Sequence, residues 1–318
     1  MIAVLSGFVA LVWGADRFVM GAAGMAKNFG LSPLLIGLTI VAFGTSAPEM
    51  LVSSMAAFTG NPGLGVGNAI GSNITNIGLV LGAAALVRPL TVHSRIIRRE
   101  VPVLLLTMTV AYGLIAWDGQ LGRLDGALLI GGLFLMLGWV VREGLQGKGD
   151  EFGAQVEDEL PPDVSTPKAL LWFAVGLVVL LGSSRMLVWG AVVIARHFGV
   201  TDNVIGLTVV AFGTSLPELA ASIAAARRDE HDIAVGNVIG SNMFNLLGVL
   251  SLPGLIRPGP VAPEVLTRDF PAMFAVTLLA LFFARGFHKK GVLTRVEGGL
   301  LVASFCGYIC WLYFDTRF

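Results

Sequence analysis

The sequence predicts an all-α membrane protein of ten transmembrane helices, arranged as two inverted-topology five-helix repeats. Three observations predict it. The 318 residues are 55% hydrophobic and only 13% charged, with a mean hydropathy of +0.81, whereas a soluble domain carries about 25% charged residues. Shifted by 169 residues, GLTIVAFGTSAPEM (37–50) falls on GLTVVAFGTSLPEL (206–219) with 11 of 14 positions identical, and GVGNAIGSNITNIG (65–78) falls on AVGNVIGSNMFNLL (234–247) with 8 of 14. Such self-similarity marks a repeat. Each half holds five apolar segments, so the second half enters the membrane from the opposite face.

Spans of about 20 apolar residues are predicted at 2–25, 32–58, 64–87, 101–117, 125–141, 168–195, 202–226, 233–256, 270–286 and 296–314. The first is expected to be a span and not a cleaved leader. It lacks a basic start, carries Asp16 and Arg17 within its apolar run, and aligns with internal residues 170–194. Ser32-Pro33 opens the second span as cap and first-turn proline, and Thr201-Asp202 does the same for the seventh. Asn61-Pro62-Gly63 reads as a tight turn before the third. An acidic linker at 146–167 separates a first repeat, 1–145, from a second, 168–318. Glu143, Asp150, Glu151, Glu157, Asp158, Glu159 and Asp163 in and beside it lack the spacing of a Ca²⁺-binding loop, so a solvated connector is expected. Cys306 and Cys310, four apart in the last span, read as small packing residues. The histidines (His93, His197, His231, His288) show no metal-ligand spacing.

Orientation follows from Lys and Arg near the ends of the spans. The connections after spans one, three, five, seven and nine hold 14 of them, and the other side, termini included, holds five. The basic side is expected to be cytoplasmic, with both termini outside. Zero formal net charge and the lack of a long basic run argue against a nucleic-acid partner. The lipid bilayer is the expected surrounding, and no obligate protein partner is evident.

The doubled segment VAFGTSAPE/VAFGTSLPE places a proline beside a carboxylic acid inside the membrane. Pro48 has no N–H for the carbonyl of Gly44, and Pro217 has none for Gly213. Freed carbonyls at that depth must be lined by protein, water or ions. Ala42, Thr45 or Ser46, and Glu49 share one helical face. A carboxylate at mid-membrane costs roughly 2.5–3.5 kcal/mol on insertion scales, so Glu49 and Glu218 call for cations. The only intramembrane basic residues are Arg17 and Arg185. Arg17 is expected to snorkel or to pair with Asp16, which gives Asp16, Arg17 and Arg185 a structural or gating role. Ser72 with Asn76, and Ser241 with Asn245, add hydroxyls and amides four residues apart. The resulting set is all oxygen, which suits hard cations. Ca²⁺ accepts six to eight such ligands in flexible geometry, unlike Mg²⁺, and Na⁺ accepts the same groups.

In these motifs the chain resembles the cation/Ca²⁺ exchanger superfamily, and within it the prokaryotic sodium/calcium exchangers with their two α-repeats. The resemblance implies a secondary active antiporter of the plasma (inner) membrane that exchanges Na⁺ for Ca²⁺ by alternating access, with no cofactor beyond the transported ions. It implies that Glu49 and Glu218 ligate Ca²⁺ with the carbonyls of Thr45 and Thr214. It further implies flanking Na⁺ ligands from Ser46, Ser72, Ser215, Ser241, the Thr214 hydroxyl and the carbonyls of Ala42 and Ala211, with Asn76 and Asn245 at the middle. Several members carry Asp where Asn245 stands; the amides here leave a formal site charge of −2 from the two glutamates. With three Na⁺ per Ca²⁺, as the family implies, exchange would be electrogenic. Helices one and six, outside the doubled motifs, are expected to form the moving gate. An H⁺/Ca²⁺ antiporter and a passive cation channel are the alternatives, and an intramembrane enzyme lacks a His or Cys to join the two acids.

Overall fold

The computed structural model of the protein describes residues 2–93, 96–146, 164–198, 211–286 and 291–315. Helices account for nearly all of it: α1 (Ile2–Phe29), α2 (Pro33–Thr45), α3 (Ala47–Phe58), α4 (Pro62–Val87), α5 (Ile96–Asp118), α6 (Arg123–Gln146), α7 (Thr166–His197), α8 (Ala211–Thr214), α9 (Leu216–Arg227), α10 (His231–Ile256), α11 (Val265–Gly286) and α12 (Arg295–Asp315). Eight helices are long and apolar enough to cross a membrane. The pair α2–α3, bent by 42°, makes up to nine among the described residues. Thr201-Asp202, the start of the expected seventh span and most of the acidic linker lie outside the described residues.

Local chemistry explains the starts. The Ser32 hydroxyl accepts the Leu35 N–H at 3.2 Å, with Pro33 in the first turn. The turn before α4 falls earlier than expected. Gly60 turns the chain with φ +94°, while Pro62 and Gly63 are already helical, because a first-turn proline loses no helical donor bond.

Burial ranks the helices. The apolar stretch of α10 is 100% buried and that of α4 is 72% buried, against at most 39% for the other six spans. Helices α4 and α10 therefore form the centre. Phe8, Trp117, Phe134, Leu135 and Trp189 stay exposed on the outside, where lipid is their natural solvent. Cys306 and Cys310 are exposed as well, which corrects their expected role in packing. Helix α12 buries only 17% of its stretch, and their shared face points outward.

Helices α1 and α7 run antiparallel in backbone contact. Gly7 faces Leu187, Gly14 faces Leu180, Gly21 faces Phe173 and Gly176 faces Phe18, and a Cβ at any of them would collide with its neighbour. Small residues are what permit such close approach in a membrane. Trp13 against Trp172 (6.2 Å) and Phe18 against Phe173 (4.9 Å) flank the seam.

Many features recur at the 169-residue spacing. π-helical turns occupy Asn76–Leu81 and Asn245–Val249, and again Ile96–Glu100 and Val265–Asp269. Four two-residue strands link the halves. Strand β1 (Leu90–Thr91) pairs antiparallel with β4 (Val292–Leu293), and β2 (Gln120–Leu121) pairs with β3 (Gly259–Pro260).

Candidate functional site

The sequence breaks each doubled helix at the residue before the Ala-Pro or Leu-Pro step. Ser46 (φ −82°, ψ 3°) separates α2 from α3, and Ser215 (φ −87°, ψ 4°) separates α8 from α9. The two breaks share one backbone conformation because both prolines withhold a donor. Each glutamate then sits in the first turn of the helix after its break, and each is 1% exposed.

Packing crosses the halves. Helix α9 lies on the 76–87 end of α4, and α3 lies on the 245–256 end of α10. Each carboxylate consequently meets the hydroxyls of the other half. The Ser46 hydroxyl donates to Glu218 Oε1 at 3.2 Å, and Thr45 stands beside Glu218 as well. In the mirror arrangement, Glu49 is turned toward Thr214 and Ser215, with Glu218 close enough to be felt electrostatically. Thr45 Oγ1 is 3.4 Å from Ser241 Oγ, and its proton serves Asn237 Oδ1 at 3.1 Å or the Ala42 carbonyl at 3.3 Å. Ser72, Asn76 and Asn245 are buried on the central helices. Ala42 is fully buried, and its carbonyl also accepts the Ser46 N–H at 3.0 Å. Ala211 opens α8.

Unpartnered polar atoms concentrate here. Among the described residues, both oxygens of Glu49, Oε2 of Glu218, Oγ of Ser215 and the whole side-chain amides of Asn76 and Asn245 are buried without a hydrogen-bond partner. Upwards of 90% of buried polar groups are satisfied in folded proteins, so a cluster of orphans on these residues is a place built for something else to complete. Two carboxylates, hydroxyls and amide oxygens make an oxygen-rich lining, suited to a hard cation such as Ca²⁺ or Na⁺.

Three pairs of residues escaped the sequence reading. Asn68 donates to Ser53 Oγ (3.1 Å) and to the Glu49 carbonyl (3.2 Å); Asn237 donates to Ser222 Oγ (3.0 Å) and to the Glu218 carbonyl (3.5 Å). Both asparagines thus clamp a glutamate-bearing turn to a central helix. Asn73 and Asn242 bond to each other's carbonyls. The signal that would have found them is the shift itself, since Ser53/Ser222, Asn68/Asn237 and Asn73/Asn242 coincide under it.

The expected Asp16–Arg17 pair does not form. Asp16 is held by Arg228, whose Nε and Nη2 both lie 2.7 Å from Oδ1. Arg17 instead lies over Trp172 (4.9 Å) and Trp13 (5.7 Å) and reaches Met20 Sδ at 3.8 Å. Adjacent residues on a helix diverge by about 100°, so the two charges face different neighbours. Arg185 is exposed on α7. None of the three lines the glutamate cluster.

Comparison with known proteins gives one answer. The family model "Sodium/calcium exchanger protein" matches residues 1–142 and 168–314. CaxA of Alkalimonas amylolytica is 48% identical over 306 residues, covering 96% of each chain. Sodium/calcium exchanger MaX1 of Methanosarcina acetivorans is 32% identical over 346 aligned residues, covering 98% of this chain and 97% of the relative. A solved structure of the sodium-calcium exchanger NCX_Mj, soaked with zero Na⁺ and Ca²⁺, superposes with a TM-score of 0.83 at 34% identity, covering 98% of this chain and 97% of that one.

Proposed function

This chain belongs to the sodium/calcium exchanger protein family, a family of transporters and not enzymes, and we propose that it exchanges Na⁺ for Ca²⁺ by alternating access. The cargo site is the oxygen cluster of Glu49, Glu218, Thr45, Thr214, Ser46, Ser215, Ser72, Ser241, Asn76 and Asn245, with the carbonyls of Ala42 and Ala211. The observation that carries the reading is the approach of each glutamate to the hydroxyls of the opposite half, amid buried polar atoms that have no hydrogen-bond partner among the described residues. Ca²⁺ entering there gains two carboxylates and neutral oxygens in place of its water. Na⁺ uses the same hydroxyls and amides, which a pure proton carrier would not need.

The architecture in this proposal is two repeats, 1–145 and 168–318, of five spans each and inverted in the membrane. Its tenth span is the one expected at 202–226, the start of which lies outside the described residues, and both termini lie outside the plasma membrane. Support comes from β1–β4 and β2–β3, each joining a connection of one half to a non-equivalent connection of the other. Halves threaded in opposite senses would produce that crossing. The glycine-packed α1–α7 pair is the moving gate, sliding as one body against a fixed core.

The test is ⁴⁵Ca²⁺ uptake into proteoliposomes under separately imposed gradients. Uptake driven by an outward Na⁺ gradient at constant pH is expected, and it should vanish in Glu49→Gln and Glu218→Gln. Uptake driven only by a pH gradient would establish H⁺ coupling instead. Uptake with no counter-ion gradient would make the protein a channel.

A further inference from the structure

We infer that Ser184 is a positioning residue that latches the α1–α7 pair to the ligand-bearing turn of the second half. The inference rests on the exchange reading above. Pro217 leaves the Gly213 carbonyl without its helical donor, and within a bilayer that oxygen has no water to turn to. The buried Ser184 hydroxyl of α7 donates to it at 3.0 Å. Gly213 immediately precedes Thr214 and Ser215, the residues toward which Glu49 is turned. A movement of α7 that breaks this bond therefore alters the backbone that carries cargo ligands.

The first half has no counterpart. Under the 169-residue shift, Ser184 corresponds to Ala15 and Gly213 to Gly44. Ala15 has no hydroxyl to offer, and the side of Gly44 where a Cβ would stand meets Leu177 and Phe18. A second tie is equally one-sided. Asp16 binds Arg228 at 2.7 Å, while the matching residues, Arg185 and Thr59, form no hydrogen bond with each other among the described residues. Related halves threaded oppositely would give inward-open and outward-open states of similar energy if their contacts were equivalent. Ser184 supplies a bond that the exchanged arrangement lacks, and so biases the protein toward the state with α7 docked on α8.

The test uses the whole 318-residue chain in proteoliposomes and lipid nanodiscs, with Ser184→Ala, Ser184→Thr and, as control, Ser183→Ala, whose hydroxyl among the described residues bonds within α7, to Leu180 at 3.0 Å. Loss of one neutral hydrogen bond is expected to move the access equilibrium about fivefold. In S184A the apparent KM for Ca²⁺ should then rise from one face and fall from the other, and hydrogen exchange across 211–219 in ion-free protein should increase. S184T and S183A should match wild type in both measurements. A drop in maximal rate with both KM values unchanged, or unaltered exchange at 211–219, overturns the inference. If the wild type shows no Na⁺-driven Ca²⁺ flux, the transport reading fails, and the hydrogen-exchange comparison alone decides whether the latch exists.

Discussion

Asn73 and Asn242, 169 residues apart, donate their side-chain amides to each other's backbone carbonyls at 3.3 and 3.4 Å. This reciprocal bond fixes where α4 and α10 cross, and both side chains are buried. Either Asn→Ala change removes one donated bond and leaves a carbonyl without it. We expect each to cost about 1–3 kcal/mol. The double variant should cost less than the sum, because the pair acts as a unit. Thermal unfolding of the three variants in detergent checks this.

Glu49→Gln and Glu218→Gln should suppress Ca²⁺ transport by more than the roughly 10–100-fold typical of losing an outer partner of a metal site. Both buried acids lack full partners, so their neutral amides should also leave the ion-free protein at least as heat-stable as wild type. Added Ca²⁺ should raise the Tm of wild type, by about 2.7 kcal/mol of stabilisation at a hundred times Kd, and should fail to raise that of either variant. A variant that transports normally, or that keeps the Ca²⁺ shift, would remove the glutamates from the site.

Asn68→Ala and Asn237→Ala leave every proposed ligand in place but free the turns that hold the glutamates. A fall of about tenfold in Ca²⁺ affinity is expected for each. Asn237 carries the additional Thr45 contact, so its loss should weaken binding more. Isothermal titration of purified protein distinguishes the two, and equal effects would show the Thr45 contact to be idle.

Arg17→Ala removes a cation held against Trp13 and Trp172. The expected loss is about 1 kcal/mol of stability. Gly176→Val, which drives a side chain into the Phe18 backbone, should be far more damaging and prevent α1 from docking on α7. Expression and thermal unfolding should rank Gly176→Val below Arg17→Ala.

Much of the candidate site was legible in the sequence because its chemistry is local. Pro48 and Pro217 break their own helices, and the glutamates, hydroxyls and amides announce themselves as polar groups in apolar runs. Partnership was not legible. Ser46 bonding to Glu218, or Asp16 to Arg228, depends on how distant helices cross, and the spacing of residues along one helix carries no information about that. Cys306 and Cys310 were misplaced for a related reason: in a membrane helix, apolarity does not tell the lipid-facing side from the packed side. The π-helical turns beginning at Asn76 and Asn245 left no local mark either. Ser184 was hidden by the repeat itself, which draws attention to what the halves share.

The small strands have a mechanical consequence. Pairing of β1 with β4 and of β2 with β3 staples the scaffold shut at either end of α5, roughly 34 Å apart for its 23 residues. A frame fastened top and bottom resists hinging about its middle. Among the described residues no strand fastens helices α1 and α7, and side-chain ties such as Asp16–Arg228 and Ser184–Gly213 hold them to that frame as latches hold a sash.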